Sequence, residues 1–201
     1  MNLLGIRSIV IKKRKPSISY QFDHFKSYPN LLQQDFYALK PGSKWDGDIT
    51  YIYTVHHGWV YLATVMDLFD RSIIGFDFSK SMSTSIAINS FNMAISNRSF
   101  SNLIFHSDRG SQYTSNLFEK TLMDLNIKHS YSKKGYPYDN SSMESFNSLL
   151  KKELVYTTKY FTFQEVKSSI LDYIRWYNNI RIHSYLDFVS PSSFFINHSL
   201  S

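Results

Sequence analysis

The sequence contains no cysteine, which excludes disulfide staples and thiolate metal sites and leaves packing alone to hold the fold. It has no apolar run approaching the roughly 20 residues that cross a bilayer, so no membrane span is expected. The apolar opening from Met1 to Ile11 is broken by Arg7 and lacks a small-residue cleavage pattern, so it does not read as a signal peptide. A cytoplasmic protein is expected. Acid is also scarce: 16 Asp and Glu stand against 22 Lys and Arg, a net charge of +6 with a pI near 9.3. That imbalance favours a polyanionic partner, and without an evident basic amphipathic helix, nucleic acid is preferred to an anionic membrane. Internal repeats and low-complexity segments are absent too. What remains is ample for a packed core: 201 residues, 43% hydrophobic and 17% aromatic, fit one main domain plus an extension.

The stretch from Leu103 to Lys152 carries the densest signals. Leu103-Ile104-Phe105 reads as a buried strand that ends at Asp108 in a polar, glycine-containing turn. After 35 intervening residues comes Glu144, just inside a helix whose start is signalled by Asn140, Ser141 and Ser142. Between them, Ser115 is expected to cap a helix burying Phe118, Leu122 and Leu125, and Ile127 to Tyr131 to form a strand. Asp108 and Glu144 can therefore converge. Upstream, Ile49 to Val55, Trp59 to Met66 and Ser72 to Phe78 read as strands joined by connections short enough for an antiparallel meander, with Asp48 at or just inside the first. Thr84 to Asn97 reads as a helix with Ala87, Phe91 and Ala94 on one stripe.

The expected order is thus three antiparallel strands followed by α-β-α-β-α, an α/β fold with a mixed five-stranded sheet and a C-terminal helical extension. Residues 1–40, with Lys12-Lys13-Arg14-Lys15, form a basic arm; 41–157 the core; 158–201 the extension. In the extension, Thr162 to Glu165 is a capping box, with Phe161 and Val166 placed as a hydrophobic staple, and Ser190-Pro191-Ser192 caps a last short turn. The helix of Glu144 has an apolar face of Met143, Phe146, Leu150 and Leu154 and a polar stripe of Glu144, Ser148 and Lys151. Lys151 then lies roughly 10 Å along the helix from Glu144, on the same side.

Three carboxylates, Asp48, Asp108 and Glu144, are the residue type that holds Mg²⁺ or Mn²⁺ beside a phosphate. With Trp45-Asp46-Gly47-Asp48, His106-Ser107-Asp108-Arg109-Gly110, Tyr138-Asp139-Asn140, Glu144-Ser145-Phe146 with Lys151, and Trp176-Tyr177-Asn178 with Arg181 and His183 in that order, the chain resembles the DDE transposases and retroviral-type integrases. More narrowly, it resembles the second-frame transposases of frameshifting bacterial insertion sequences. The resemblance implies a ribonuclease H-like core and metal-dependent DNA strand cleavage and strand transfer, with Asp48, Asp108 and Glu144 as catalytic metal ligands. It also implies double-stranded DNA as partner and a homo-oligomer on that DNA. Lys133, Lys134, Lys151, Lys152, Arg109, Asn140 and Arg181 are the expected DNA contacts. Asp46 is weighed as a decoy or auxiliary ligand, Asp67 as structural, and His106 as hydrogen-bonded rather than metal-bound. Full-length members carry an N-terminal helix-turn-helix region for which nothing before Pro29 is long enough, so a truncated chain is expected. The alternatives are a stand-alone nuclease on the same fold and a noncatalytic remnant that inhibits an intact transposase.

Overall fold

A computed structural model of the chain describes residues 28–199; the basic cluster at Lys12 to Lys15 lies outside them. Five strands form one sheet: β1 (Lys44–Thr54), β2 (Gly58–Asp67), β3 (Ile73–Ser79), β4 (Ile104–Ser107) and β5 (Lys128–Tyr131), in the order β3-β2-β1-β4-β5. The first three are antiparallel, whereas β4 runs parallel to both β1 and β5. Five helices cover the faces: α1 (Thr84–Asn97), α2 (Asn116–Asp124), α3 (Ser141–Glu153), α4 (Phe163–Asn179) and α5 (Pro191–His198). The α/β architecture expected from the sequence is the one observed.

Strand alternation divides the core in two. Trp45 of β1, Val65 of β2 and Phe105 of β4 face α1 and α2, packing with Ala87, Phe91, Phe118 and Leu122. Ile52 of β1 and Leu62 and Met66 of β2 face the other way, onto Met143, Phe146 and Leu150 of α3 and Val166, Ile170 and Ile174 of α4. Because side chains alternate along a strand, Asp46 and Asp48 share a face with Ile52, beneath α3.

Several boundaries differ from the sequence reading. β1 begins at Lys44, well before Ile49, so Asp48 sits in the middle of the strand and not at its start. Trp45 is fully buried there between Phe91 and Phe100, and that packing carries the strand through two acidic residues. Leu125 is 39% exposed, because it caps α2 and no longer belongs to its buried stripe. Ser115 does accept from Phe118 N, and Thr162 from Glu165 N, as N-caps. Glu165 reaches back to the Phe161 N–H, and Phe161 itself stays 42% exposed beside His56. Ser190 caps α5, an eight-residue helix rather than a single turn.

Candidate active site

The parallel pairing of β1 with β4 brings together the segments that carry the first two carboxylates. Its last register pair is Gly47 with Ser107, so Asp48 continues β1 beyond that pair while Asp108 directly follows the end of β4. Asp108 Oδ1 accepts the Gly110 N–H at 2.8 Å, an Asx turn that aims the carboxylate as the chain leaves β4. Asp48 Oδ2 accepts from Asn147 Nδ2 of α3 at 2.7 Å. Glu144 lies exposed in the first turn of that helix. Gly47, between Asp46 and Asp48, leaves room for Phe105: a Cβ there would come within 2.5 Å of the ring.

Desolvation raises the pKa of all these acids. Burial comes first for Asp48, whose pKa is pushed up to about 7, with repulsion from Asp108 and Glu144 adding to it and Lys151 opposing. Asp108 and Glu144 are raised mainly by burial, and Asp46 is raised well above the carboxylate range by burial and then by Asp48.

Asp46 is fully buried, with other bonds to make. Asn140, in the amide orientation that satisfies both groups, donates Nδ2 to its two oxygens at 3.0 and 2.9 Å. The Met143 N–H, in the first turn of α3, also points to it. Asn140 thus does not cap α3 through its own side chain; it ties the helix start to β1 instead. His106 is fully engaged, its Nε2 donating to the Asp139 carbonyl at 2.7 Å and its Nδ1 meeting Ser130 Oγ at 2.9 Å. Burial lowers its pKa to about 4. Asp67 accepts the Gly42 and Phe69 N–H groups inside the protein, which is the structural role expected of it.

Two residues beside Asp48 escaped the sequence reading. Asn147 interrupts the apolar stripe of Met143, Phe146 and Leu150, and that buried polar interruption was the available signal. Its Oδ1 has no partner. Thr64 stands directly opposite Asp48 across the β1–β2 ladder, and its buried hydroxyl is also unpartnered. The carboxylates and these uncharged oxygens are hard donors, the set that suits Mg²⁺ or Mn²⁺ over softer metals. Among the described residues, however, no three His, Asp or Glu side chains converge closely enough to hold an ion as they stand.

The basic residues divide into two groups. Lys151 lies half-buried with Nζ 4.9 Å from the Tyr51 ring centroid, and Asp48 acts on its charge. Lys133 and Lys134, in the loop after β5, and Lys152 are exposed. By contrast, Arg181 binds Glu153 at 2.8 Å, and Arg109 donates Nε to the Ser132 carbonyl and covers the Tyr28 ring.

Comparison with known proteins matches the integrase core domain over residues 38–137 and again over 125–191. The transposase of insertion element IS904 from Lactococcus lactis is 40% identical over 183 residues, which cover 87% of this chain and 72% of that protein. The chain belongs to the insertion-sequence transposases. Transposase InsF of IS3A from Escherichia coli K12 is 38% identical over 192 residues, which cover 94% of this chain. This transposase chain spans 66% of the length of InsF. Among solved structures, a chain of the simian T-cell lymphotropic virus intasome superposes with a TM-score of 0.66 at 20% identity, over 78% of this chain and 55% of that one. The HTLV-2 integrase catalytic core, solved in complex with magnesium, gives 0.61 at 18%, over 78% and 97%. The fold is that of a retroviral integrase core, ribonuclease H-like as expected.

Proposed function

We propose that the chain is a DNA strand-transfer core in which Asp48, Asp108 and Glu144 hold divalent metal beside a scissile phosphodiester. The observation that carries this reading is the bond from Asn147 of α3 to Asp48 of β1, which brings Glu144, one turn earlier on that helix, toward the strand, while the parallel pairing of β1 with β4 brings in Asp108, which directly follows β4. Bound Mg²⁺ would supply Lewis-acid charge that favours attack on phosphorus and departure of the 3′-oxygen. The protein's own part is positioning. Asn147 fixes Asp48 and the Gly110 N–H fixes Asp108, while Glu144, exposed and free to change rotamer, swings in to complete the set. Lys151 holds an adjacent phosphate, and Lys133, Lys134 and Lys152 add non-specific grip on double-stranded DNA. Arg181, Asn140 and Arg109, also expected to contact DNA, are already engaged with Glu153, Asp46 and the Ser132 carbonyl. The HTLV-2 core is described in trimeric and dimeric forms, and this chain is proposed to act on DNA as an oligomer as well.

The test is joining of labelled, pre-nicked DNA ends with a free 3′-hydroxyl to a plasmid in Mg²⁺ or Mn²⁺, beside an Asp108→Asn control. Joined product in the native chain alone is the expected result. Product that survives in Asp108→Asn would sink the assignment.

A further inference from the structure

Lys151 also lines a groove of about 480 Å³ whose other residues the proposed chemistry does not use. Along the end of β1, Ile52 and Thr54 are buried while Tyr51 and Tyr53 face out, 51% and 57% exposed. Across the ladder, Trp59 pairs with Tyr53 and is 49% exposed. Trp59 meets both tyrosines edge to face, with centroids 5.0 and 5.3 Å apart. These three adjoining rings are held in fixed orientations yet half open to solvent. Tyr156, 62% exposed, lines the same groove. Isolated surface aromatics are ordinary, but a contiguous ordered set is an unspent binding surface.

The surrounding charge identifies what the groove takes. Its two ionic lining residues, Lys151 and Lys159, are both cations, and neither has a carboxylate within ion-pair distance. Each lies instead over an aromatic ring, Lys151 over Tyr51 and Lys159 over Phe161. Aromatic faces alternating with unpaired cations are the recognition chemistry of a single nucleic-acid strand, whose bases stack on the rings while its phosphates meet the lysines. In a duplex the bases are already stacked on each other and their faces are closed to protein. Lys151 stands one turn of α3 beyond Asn147, which donates to Asp48, so the groove begins one helical turn from the group that holds that carboxylate.

We infer that the Tyr51-Tyr53-Trp59 surface is a stacking platform for the unpaired strand of DNA beside the scissile phosphate. The inference rests on the proposed strand-transfer reading, because it takes its substrate from that site. Trp59→Ala and Tyr53→Ala both remove exposed side chains, so the fold should tolerate them, and Trp59→Phe keeps a stacking face.

The test measures the affinity of fluorescein-labelled oligothymidylate and of a 20-base-pair duplex by anisotropy in the Asp108→Asn background, which blocks cleavage. Each alanine variant should bind the single strand about fivefold more weakly or worse, with duplex affinity changed less than about twofold. Trp59→Phe should restore most of the loss. Tryptophan fluorescence should be quenched by oligothymidylate and the quench should vanish in Trp59→Phe. Equal single-strand affinity in all variants overturns the platform. So does a change of oligomeric state in Trp59→Ala, by light scattering, with oligothymidylate affinity unaltered, which would make this face a contact between two copies. Failure of the strand-transfer reading looks different: no Asp108-dependent cleavage or joining, whatever the rings do to binding.

Discussion

Residues Asp48 and Asn147 meet across β1 and α3, where a buried carboxyl accepts a side-chain amide. A carboxyl held near pH 7 instead of 3.8 binds its proton more tightly folded than unfolded, so metal-free stability falls as pH rises from about 4 through 7. The full displacement corresponds to roughly 4 kcal/mol before solvent screening reduces it. Asp48→Asn is therefore expected to raise the melting temperature of the metal-free protein by several degrees at pH 8 and by little at pH 5. Mg²⁺ should raise the native melting temperature at pH 8 and leave that of Asp48→Asn nearly unmoved. Scanning calorimetry at the two pH values decides it. Asn147 donates to the ionised form of Asp48, so Asn147→Ala should push the Asp48 pKa higher still. The acidic limb of the cleavage pH profile should then move to higher pH, and an unmoved limb would show that this hydrogen bond does not tune the carboxylate.

At the scale of elements, the approach to the sheet is organised by buried charge. Arg98, at the C-terminal end of α1, donates to Asp70 at 2.9 Å and lies 3.5 Å from Asp67, both carboxylates fully buried, Asp67 at the end of β2 and Asp70 in the turn that follows. Removing the cation leaves two buried carboxylates beside each other. Arg98→Ala is expected to cost about 3–5 kcal/mol in urea unfolding, and Arg98→Lys less. The sequence exposed some elements fully and others partly, for physical reasons. The limits of α1 were readable to the residue, since its apolar spacing and flanking polar residues agree. The start of β1 was hidden because Asp46 and Asp48 put carboxyls on the strand's core face, and the groups that receive them, Asn140, the Met143 N–H and Asn147, are distant in sequence. The three carboxylates proposed as the triad were singled out by motif and spacing. The approach of β1 to the end of β4, where Asp108 follows, depends on a parallel pairing that no local pattern encodes. The engagement of Arg181 with Glu153 is likewise a contact across 28 residues, invisible to helix periodicity.

For the whole molecule, two pH effects of opposite sign overlap. The buried neutral His106, with a pKa near 4 against 6.5 when free, contributes stability that is complete above pH 6.5 and is lost as pH falls through 4. In the same interval the carboxyls near α3 stabilise on acidification. The difference in denaturant midpoint between native and His106→Gln should therefore shrink steadily from pH 7 to pH 4.5, whatever the absolute trend. A difference independent of pH would mean that His106 is not held neutral.

The central claim is that three particular carboxylates, and not the nearby fourth, do the chemistry on this integrase-like sheet. Asp46 is the natural control, since it is buried beside Asp48 but occupied by Asn140 and the start of α3. The decisive measurement is strand transfer by Asp48→Asn, Asp108→Asn, Glu144→Gln and Asp46→Asn side by side in Mg²⁺, each checked for folding by circular dichroism. Joined product should vanish in the first three and persist in Asp46→Asn. Product in any of the three, or its loss from a folded Asp46→Asn as complete as theirs, would contradict the assignment.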